Sequence, residues 1–419
     1  MTKRKIILGE YLEFEKGISV PRDRLSITNN IAYLHYGDIY KIYNHVVDIN
    51  KEIDNILKIS TDEKYKKTQL LKDGDIVYNL TSESVDDLGK AVYIRNPNNI
   101  PFVSGMETTI MRVTDKSILL PEYLNYILST YKFKCLLRQY VTGMKVYRVH
   151  PRDIGRIEIE VPDINEQKKI IDILNPFNDK IELNNQMNQT LEEIASLLYK
   201  RWFVDFEFPD DKGNPYKSSG GEMVDSELGM IPKGWEVKEL GEFITLINGY
   251  AFKSGSYSKD GNYKIITIKN VLDNKFITNS TNKILEIPDN VIENQKLKIG
   301  DVLISLTGNV GRVCVVTEGE CLLNQKKKKN ISKIEVNKYY WRTFFNTEEI
   351  KIKMINISKG TAQSNLSTIE IMKIKILNSK EVTYNFSEKI KAISKKKLQN
   401  EIMILNIEMI KQKLLEELV

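Results

Sequence analysis

The chain has 419 residues, of which 41% are hydrophobic and 28% are charged, a composition typical of globular domains with enough apolar material for more than one core. The 62 basic and 56 acidic residues give a formal net charge of +6, which is compatible with nucleic-acid binding without requiring it. No run of about 18 apolar residues occurs, which argues against a membrane-spanning helix. The start of the sequence lacks the apolar stretch of a secretion signal, so we expect a cytosolic protein.

Histidine and cysteine are scarce, which limits the catalytic chemistry that the chain can support. Three histidines are too few to favour a histidine-based centre. The three cysteines include no CxxC pair, so zinc ligation and a disulfide framework are both weakly supported. Cys135 is isolated; Cys314 and Cys321 could lie near each other on paired strands, and we expect buried thiols there.

The first half of the chain begins with strand patterns. Residues 31–40 read as one strand, and "GDIVYNLT" alternates apolar and polar residues after a Lys-x-Gly-Asp turn. A short helix is predicted over 120–130, where Pro121 suits the first helical position.

A long amphipathic helix follows, from residue 165 to about 203. Its inner positions form a heptad-like seam that is apolar at both ends and carries two asparagines in the middle. Pro176 predicts a kink or a break near the start. The seam positions are Ile170, Leu174, Phe177, Ile181, Asn184, Asn188, Leu191, Ala195, Leu198 and Trp202.

The second half repeats this order. Strand patterns at 264–271 and in "GDVLISLTG" precede a helical pattern at 337–354, and a second long helix ends the sequence. Its seam is again polar in the middle, and the two helices can bury their stripes on each other. The positions are Phe386, Ile390, Ile393, Lys397, Asn400, Ile404, Ile407, Lys411, Leu414 and Leu418.

Three pairs of segments match in order between the two halves, which indicates a tandem duplication of a domain together with its helix. "LGEYLEFEKGISVP" matches "LGEFITLINGYAFK", and "LKDGDIVYNLTSESVDDLGKAVYI" matches "LKIGDVLISLTGNVGRVCVV". "VTGMKVYRVHPRDIGRIEIEVPDINEQKKIIDIL" matches "ISKGTAQSNLSTIEIMKIKILNSKEVTYNFSEKIKAI". We therefore predict an α+β chain with β-rich domains at 1–162 and 235–380, long helices at 163–207 and 381–419, and a Gly/Pro/Ser-rich linker at 208–234.

The polar and basic loops of the β-rich domains are candidate nucleic-acid contacts. Positively charged or amide side chains can reach phosphates or base edges, although ordinary turns and a Lys-rich surface explain the same pattern. "LTGNVGR" ends in Arg312 but lacks the Lys-Ser/Thr of a P-loop, which argues against nucleotide binding. The candidates are Ser104, Lys145, Tyr147, Arg148, Tyr250, Lys253, Lys269, Asn309, Arg312, Lys326 and Lys327, with the polar stretches "NLTSES" and "SGMETT" beside them.

The order of these segments resembles the specificity subunit of type I restriction-modification systems. The resemblance covers nearly the whole chain, and its most specific part is "LYKRWFVDFEFP…SELGMIPKGWEVKEL". It implies two target recognition domains, each for one half of a bipartite site in double-stranded DNA. It also implies antiparallel spacer helices that fix the gap between the half-sites and dock the modification subunits.

The resemblance further implies a non-catalytic subunit that directs adenine methylation and restriction by its partners. Two modification subunits are expected, with restriction/translocase subunits in the full complex, and S-adenosylmethionine, Mg²⁺ and ATP belong to those partners. Since a helix rises about 1.5 Å per residue and DNA about 3.4 Å per base pair, helix length would set spacer length. The second copy has "SKGTAQSNLST" where the first has "VTGMKVYRVHP", so contact roles do not transfer between copies.

Two other functional classes stay open at this stage. One is a scaffold that binds partner subunits through its helices without reading bases. The other is a nuclease or methyltransferase, for which "NPFN" and "PDINEQK" are faint matches: the first lacks a second proline and a cofactor fingerprint, and the acidic residues of the second suit a helix cap.

Overall fold

Two long helices, Ile164–Tyr199 and Lys380–Leu418, carry most of the helical residues in this computed structural model. A short π-helical turn, Lys200–Val204, extends the first one. The helix continues through Pro176, so the predicted break does not occur. Buried contacts of Leu174 and Ile181 on either side hold this segment helical despite the missing backbone N–H.

The structure describes residues 3–85, 87–279, 281–325, 331–334, 338–358 and 366–419. The chain divides into a first unit, Met1–Ile181 with Asn406–Val419, and a second unit, Glu182–Leu405. Each unit therefore contains one β-rich domain and a part of each long helix.

The first unit is built on a five-stranded sheet and a three-stranded sheet. The five-stranded sheet has the order Leu12–Lys16, Thr108–Val113, Ile76–Asn79, Ala91–Arg95 and Val46–Asp48. The three-stranded sheet has the order Lys58–Ile59, Ile31–Leu34 and Phe102–Ser104, and its last pair is parallel. The shorter strands are Arg4–Ile7, Thr81–Ser82, Tyr147–Arg148 and Glu158–Val161. The remaining helices are Leu8–Tyr11, Tyr36–Lys41, Ile49–Glu52, Pro121–Ser129, Tyr131–Arg138 and Pro151–Gly155.

The second unit has two four-stranded sheets in its described residues. One has the order Leu246–Asn248, Ile331–Ile334, Val302–Ser305 and Val313–Val315. The other has the order Lys283–Ile284, Tyr263–Ile266, Cys321–Leu323 and Lys296–Leu297, again with a parallel central pair. The shorter strands are Met223–Val224, Ile231–Pro232, Glu236–Glu239, Val271–Leu272, Lys275–Phe276 and Lys375–Asn378. The remaining helices are Lys338–Asn346, Glu348–Ser358 and Thr368–Met372.

The predicted repeat is visible in the backbone of both units. In each Lys-x-Gly-Asp turn, Gly74 (φ +88°) or Gly300 (φ +89°) takes a left-handed conformation that favours glycine. In both turns the lysine N–H donates to the aspartate Oδ2 at 2.8 Å. In both units the strand that directly precedes a long helix pairs antiparallel with the first strand of its domain.

The polar middle of each predicted seam pairs antiparallel helix segments within a unit. In the second unit Asn400 Nδ2 donates to Asn188 Oδ1 at 2.9 Å, and Lys397 forms an ion pair with Glu192. The partner numbers fall on one helix as they rise on the other, so the segments run antiparallel. Every position of both predicted seams is buried or half-buried, which fits inward-facing stripes.

Segment 208–234 is packed into the second unit instead of lying free on its surface. Phe208 and Ile231 are buried in the same core as Trp235. The ring of Phe208 stacks on Tyr216 with centroids 4.7 Å apart. Aromatic residues within a Gly/Pro/Ser-rich stretch were the sequence signal for this packing.

A candidate DNA-reading surface in each unit

Three loops of the first unit meet at one end of its five-stranded sheet. Strand Tyr147–Arg148 pairs antiparallel with Thr81–Ser82. The N–H of Val149 donates to Leu80 O at 3.1 Å, and the N–H of Leu80 donates to Glu107 O at 2.9 Å. The stretches "NLTSES" and "SGMETT" are thereby brought together with the loop that carries Lys145 and Arg148.

The loop around Lys145 is a tight hairpin. Thr142 and Arg148 exchange backbone hydrogen bonds at 2.9 and 2.8 Å. Gly143 has φ +104°, and a Cβ there would lie 2.1 Å from Val146 O, so the turn requires glycine. The hairpin holds an exposed Lys145 beside Met144, whose surface is 92% exposed.

The side chains on this surface differ in access. Arg148 is 63% exposed, and its Nη2 lies 3.9 Å from Glu107 Oε1. Tyr147 is half-buried. Ser104 is fully buried and its Oγ has no partner among the described residues, so it does not reach a surface where DNA could lie. It follows the buried strand residues Phe102 and Val103, and its burial comes from the parallel pairing of this strand.

A half-buried tyrosine, Tyr40, fixes the "NLTSES" loop of the first unit. Tyr40 Oη lies 3.0 Å from Thr81 O and 3.1 Å from Asp87 O. Burial raises the pKa of Tyr40, so its hydroxyl keeps the proton that it donates to these carbonyls.

Loop Ser305–Arg312 of the second unit matches the "NLTSES" loop of the first. Ser305 Oγ accepts from the N–H of Arg312 at 3.0 Å, and the Ser305 N–H donates to Arg312 O at 2.9 Å. The N–H of Leu366 donates to Leu306 O at 2.8 Å, as Val149 does to Leu80 in the first unit. The two loops therefore have the same backbone anchor.

The second loop presents a positively charged cleft of about 340 Å³. With the Asn309 amide oriented to satisfy both groups, its oxygen accepts from the Arg312 guanidinium at 3.0 and 3.3 Å. Across the cleft, Lys351 Nζ lies 3.0 and 3.1 Å from the two carboxylate oxygens of Asp273. Arginine and lysine side chains in such a cleft suit phosphate or base-edge acceptors.

The other predicted contacts of the second unit are more scattered. Lys253 and Lys269 are exposed. Tyr250 is half-buried, and its ring meets Phe252 edge-on at 4.9 Å. Lys326 and Lys327, with the rest of that lysine run, lie outside the described residues.

The described residues offer little for metal or thiol chemistry. Among them, no group of three or more His, Cys, Asp or Glu side chains is placed to hold a metal ion. Cys314 and Cys321 are buried free thiols as predicted, and burial raises the pKa of Cys321 to about 12. Cys135 is exposed on the outer side of the Tyr131–Arg138 helix. Over the same residues, no helix is long and apolar enough to cross a membrane.

Comparison with known proteins agrees with this duplicated plan. The sequence matches the type I restriction modification DNA specificity domain over residues 6–193 and 232–378. The chain belongs to this family. It is 26% identical to the type I restriction enzyme HindI specificity subunit of Haemophilus influenzae, over 89% of this chain and 90% of that protein. It is 34% identical to the MjaIX specificity subunit of Methanocaldococcus jannaschii, over 33% of this chain and 30% of that protein.

A solved specificity (S) subunit of a type I restriction-modification system from M. genitalium has the same fold. The TM-score is 0.51 at 13% sequence identity, over 100% of this chain and 96% of that one. The α+β class, with two recognition domains and long helices, is thereby confirmed. The protein is a specificity subunit of a type I restriction-modification system, and the two units each contain one specificity domain.

Sequence reasoning missed several residues of the two surfaces. Glu107 lies within a stretch that the sequence singled out, but its contact with Arg148 depends on pairing between loops 41 positions apart, for which there is no local signal. Lys351 and Asp273 lie in a helix and a turn that no motif marks. The predicted strand 31–40 is a strand over Ile31–Leu34, but Tyr40 lies in the helix that follows it, Tyr36–Lys41. The His35 side chain caps that helix by accepting from the N–H of Gly37 at 3.1 Å.

Proposed function

We propose that this specificity subunit reads a bipartite sequence in double-stranded DNA, with one half-site for each unit. The observation that carries the proposal is the matching backbone anchor of the two units, which holds loops with different side chains. The Val149–Leu80 bond anchors the hairpin of Lys145 and Arg148 in the first unit, and the Leu366–Leu306 bond anchors the loop of Asn309 and Arg312 in the second. Two sites with one frame and different side chains suit two different short sequences.

We propose further that the subunit is not catalytic and directs adenine methylation, and restriction, by partner subunits. S-adenosylmethionine, Mg²⁺ and ATP belong to those partners, and the complex works in the cytoplasm. Two modification subunits are expected because the chain is an internal repeat.

The long helices carry apolar side chains for a partner that lie apart from the residues of the predicted seam. The predicted seam residues face inward: Ile170, Leu174, Ile181, Trp202 and Ile390 are buried, and Leu191, Leu198, Ile393, Ile404, Ile407 and Leu414 are half-buried. They are therefore occupied by the helix pairing. Exposed large apolar side chains on the same helices are the better docking candidates; they are Ile173, Leu183, Ile194, Leu197, Tyr384, Met403, Met409 and Ile410.

The test is a methylation map of DNA from cells that co-express this chain with its modification subunit. A new split motif with a modified adenine in each half is the expected result, and cells that express the modification subunit alone are the control. Co-purifying subunits without any new motif would refute base reading and leave a scaffold. Methylation by this chain without the modification subunit would refute the non-catalytic assignment.

A further inference from the structure

Glu107 combines three features that are unusual in a surface loop. Its backbone has φ +64°, a left-handed conformation that is uncommon for residues other than glycine, asparagine and aspartate. Its carbonyl accepts the Leu80 N–H at 2.9 Å, and its carboxylate lies 3.9 Å from the Arg148 guanidinium. Unfavourable backbone conformations cluster at functional sites, where the surrounding structure enforces them.

The surrounding turn holds Glu107 in this conformation. Thr108 Oγ1 donates to Gly105 O at 2.6 Å. A Cβ on Gly105 would lie 2.5 Å from the Tyr33 hydroxyl, so the chain passes this point with little room to adjust. The carboxylate is therefore presented beside Arg148 by a rigid turn.

The ion pair between Glu107 and Arg148 leaves both side chains free hydrogen-bonding positions for a further ligand. At 3.9 Å their closest contact is an ion pair longer than a hydrogen bond. The guanidinium keeps donors, and the carboxylate keeps acceptor positions. Side by side, they present donors next to an acceptor.

That pattern is the complement of a G·C pair in the major groove. Guanine shows two acceptors, N7 and O6, and the N4 amino group of cytosine is a donor. An A·T pair shows an acceptor, a donor, an acceptor and a methyl group, so it would set a donor against arginine and an acceptor against glutamate. A carboxylate near DNA is unfavourable wherever no hydrogen-bond donor faces it. It therefore disfavours base pairs that lack a donor at that position.

We propose that Glu107 and Arg148 together select one G·C base pair in the half-site read by the first unit. The inference rests on the proposed function and adds to it a residue pair and the base pair that it recognises. Arg148 donates to guanine N7 and O6, and Glu107 accepts from cytosine N4.

The second copy differs at the matching position of the sequence. The bridges Ile18–Gly105 and Tyr250–Asn324 are equivalent in the two units. Two residues beyond Gly105 comes Glu107, whereas two residues beyond Asn324 comes Lys326, which lies outside the described residues. The sequence thus reverses the charge at this position, as expected if the two units read different bases.

The test uses the complex with the modification subunit and duplexes that carry each of the four base pairs at every position of the first half-site. The relative methylation rates give the preference at each position. Wild type should prefer one G·C pair. Glu107→Gln and Glu107→Gly should each reduce that preference about tenfold or more and leave the second half-site unchanged. Arg148→Lys, which loses the planar fork of the guanidinium, should reduce it at the same position.

The glycine variant separates recognition from folding, because glycine accepts φ +64° without strain. Glu320→Gln is the matched control: Glu320 is also left-handed (φ +55°) and exposed, but it lies in a turn of the second unit. This substitution should leave the base preference at every position of the first half-site unchanged. Unchanged preferences in both Glu107 variants, an equal loss at all positions, or a wild-type preference for A·T at the affected position would overturn the inference. A wild-type complex that methylates no split motif would instead refute the proposed function itself.

Discussion

A buried cluster of four charges ties the recognition domain of the second unit to its helix segments. Lys397 pairs with Glu192 across the two long helices. Arg342, on the Lys338–Asn346 helix, lies 3.5 Å from Glu401. The four side chains are between 7% and 24% exposed. Two cations and two anions balance, so the loss of any one leaves a net charge in a poorly hydrated place.

We predict strong coupling between Lys397 and Glu192. Burial lowers the pKa of Lys397; burial acts to raise the pKa of Glu192, but Lys397 and Arg342 outweigh it and the pKa is lowered. Removing one partner of a buried ion pair costs about 3–5 kcal/mol, whereas replacing both by apolar residues of similar volume is often neutral. Because Glu192 keeps some solvent and Arg342 as a neighbour, we expect about 3 kcal/mol for Lys397→Met and for Glu192→Met.

The double variant should lose about 1 kcal/mol or less of unfolding free energy, against about 6 kcal/mol for the sum of the two single losses, which gives a coupling energy of about 5 kcal/mol. Urea unfolding followed by tryptophan fluorescence measures this in the right place, because the chain's three tryptophans all lie in the second unit. Lys391→Met is the control, because the ion pair of Lys391 with Glu388 is solvent-exposed. The urea midpoint of this variant should equal that of the wild type. Additive losses in the double variant would refute the reasoning, since they would mean that solvent screens the pair.

Three further outcomes are expected. His45 is buried, and burial, followed by the charge of Lys411, holds its pKa well below the ordinary value. As the pH falls below about 6.5, only the unfolded chain therefore takes up a proton at this residue. The unfolding free energy of the first unit should fall by about 1.4 kcal/mol per pH unit in that range. Amide exchange of strand Ile31–Leu34 at pH 5 and 7 measures this loss, which His45→Gln should abolish. Arg148→Ala should relax only the first half-site and Arg312→Ala only the second, as read by methylation mapping; loss of both half-sites in either variant would indicate misfolding instead. Removing one heptad from each long helix should shorten the spacer of the methylated motif and keep both half-sites, and an unchanged spacer in an active complex would rule out the helices as its determinant.

The duplicated frame could be predicted from the sequence because it depends on local signals. The Lys-x-Gly-Asp turns need a left-handed glycine at Gly74 and Gly300, and both turns form as the matching segments indicated. The helix seams were equally visible, since an apolar stripe with a polar middle repeats at heptad spacing. The polar positions Asn188 and Asn400 do meet, but no local signal tells which polar residue of one helix faces which residue of the other.

The reading surfaces were less predictable because they depend on pairing between distant segments. Ser104 lies in a stretch of polar residues that resembles a surface turn, yet parallel pairing with strand Ile31–Leu34 buries it. Glu107, three residues later, lies beside Arg148 because its loop pairs with Leu80, whose strand neighbours pair with the Arg148 strand. A polar stretch does not show which of its residues will be covered, since that depends on the neighbouring strand.

The arrangement of each surface explains how one frame can serve two half-sites. The bonds from Val149 to Leu80 and from Leu366 to Leu306 join backbone atoms only, so they place no demand on the side chains of the loops that they position. Side chains at the loop tips can then change without loss of the anchor, which makes base preference separable from folding. It follows that the loop after Leu80, exchanged for the loop after Leu306, should carry its contacts with it wherever its own tight turns are kept.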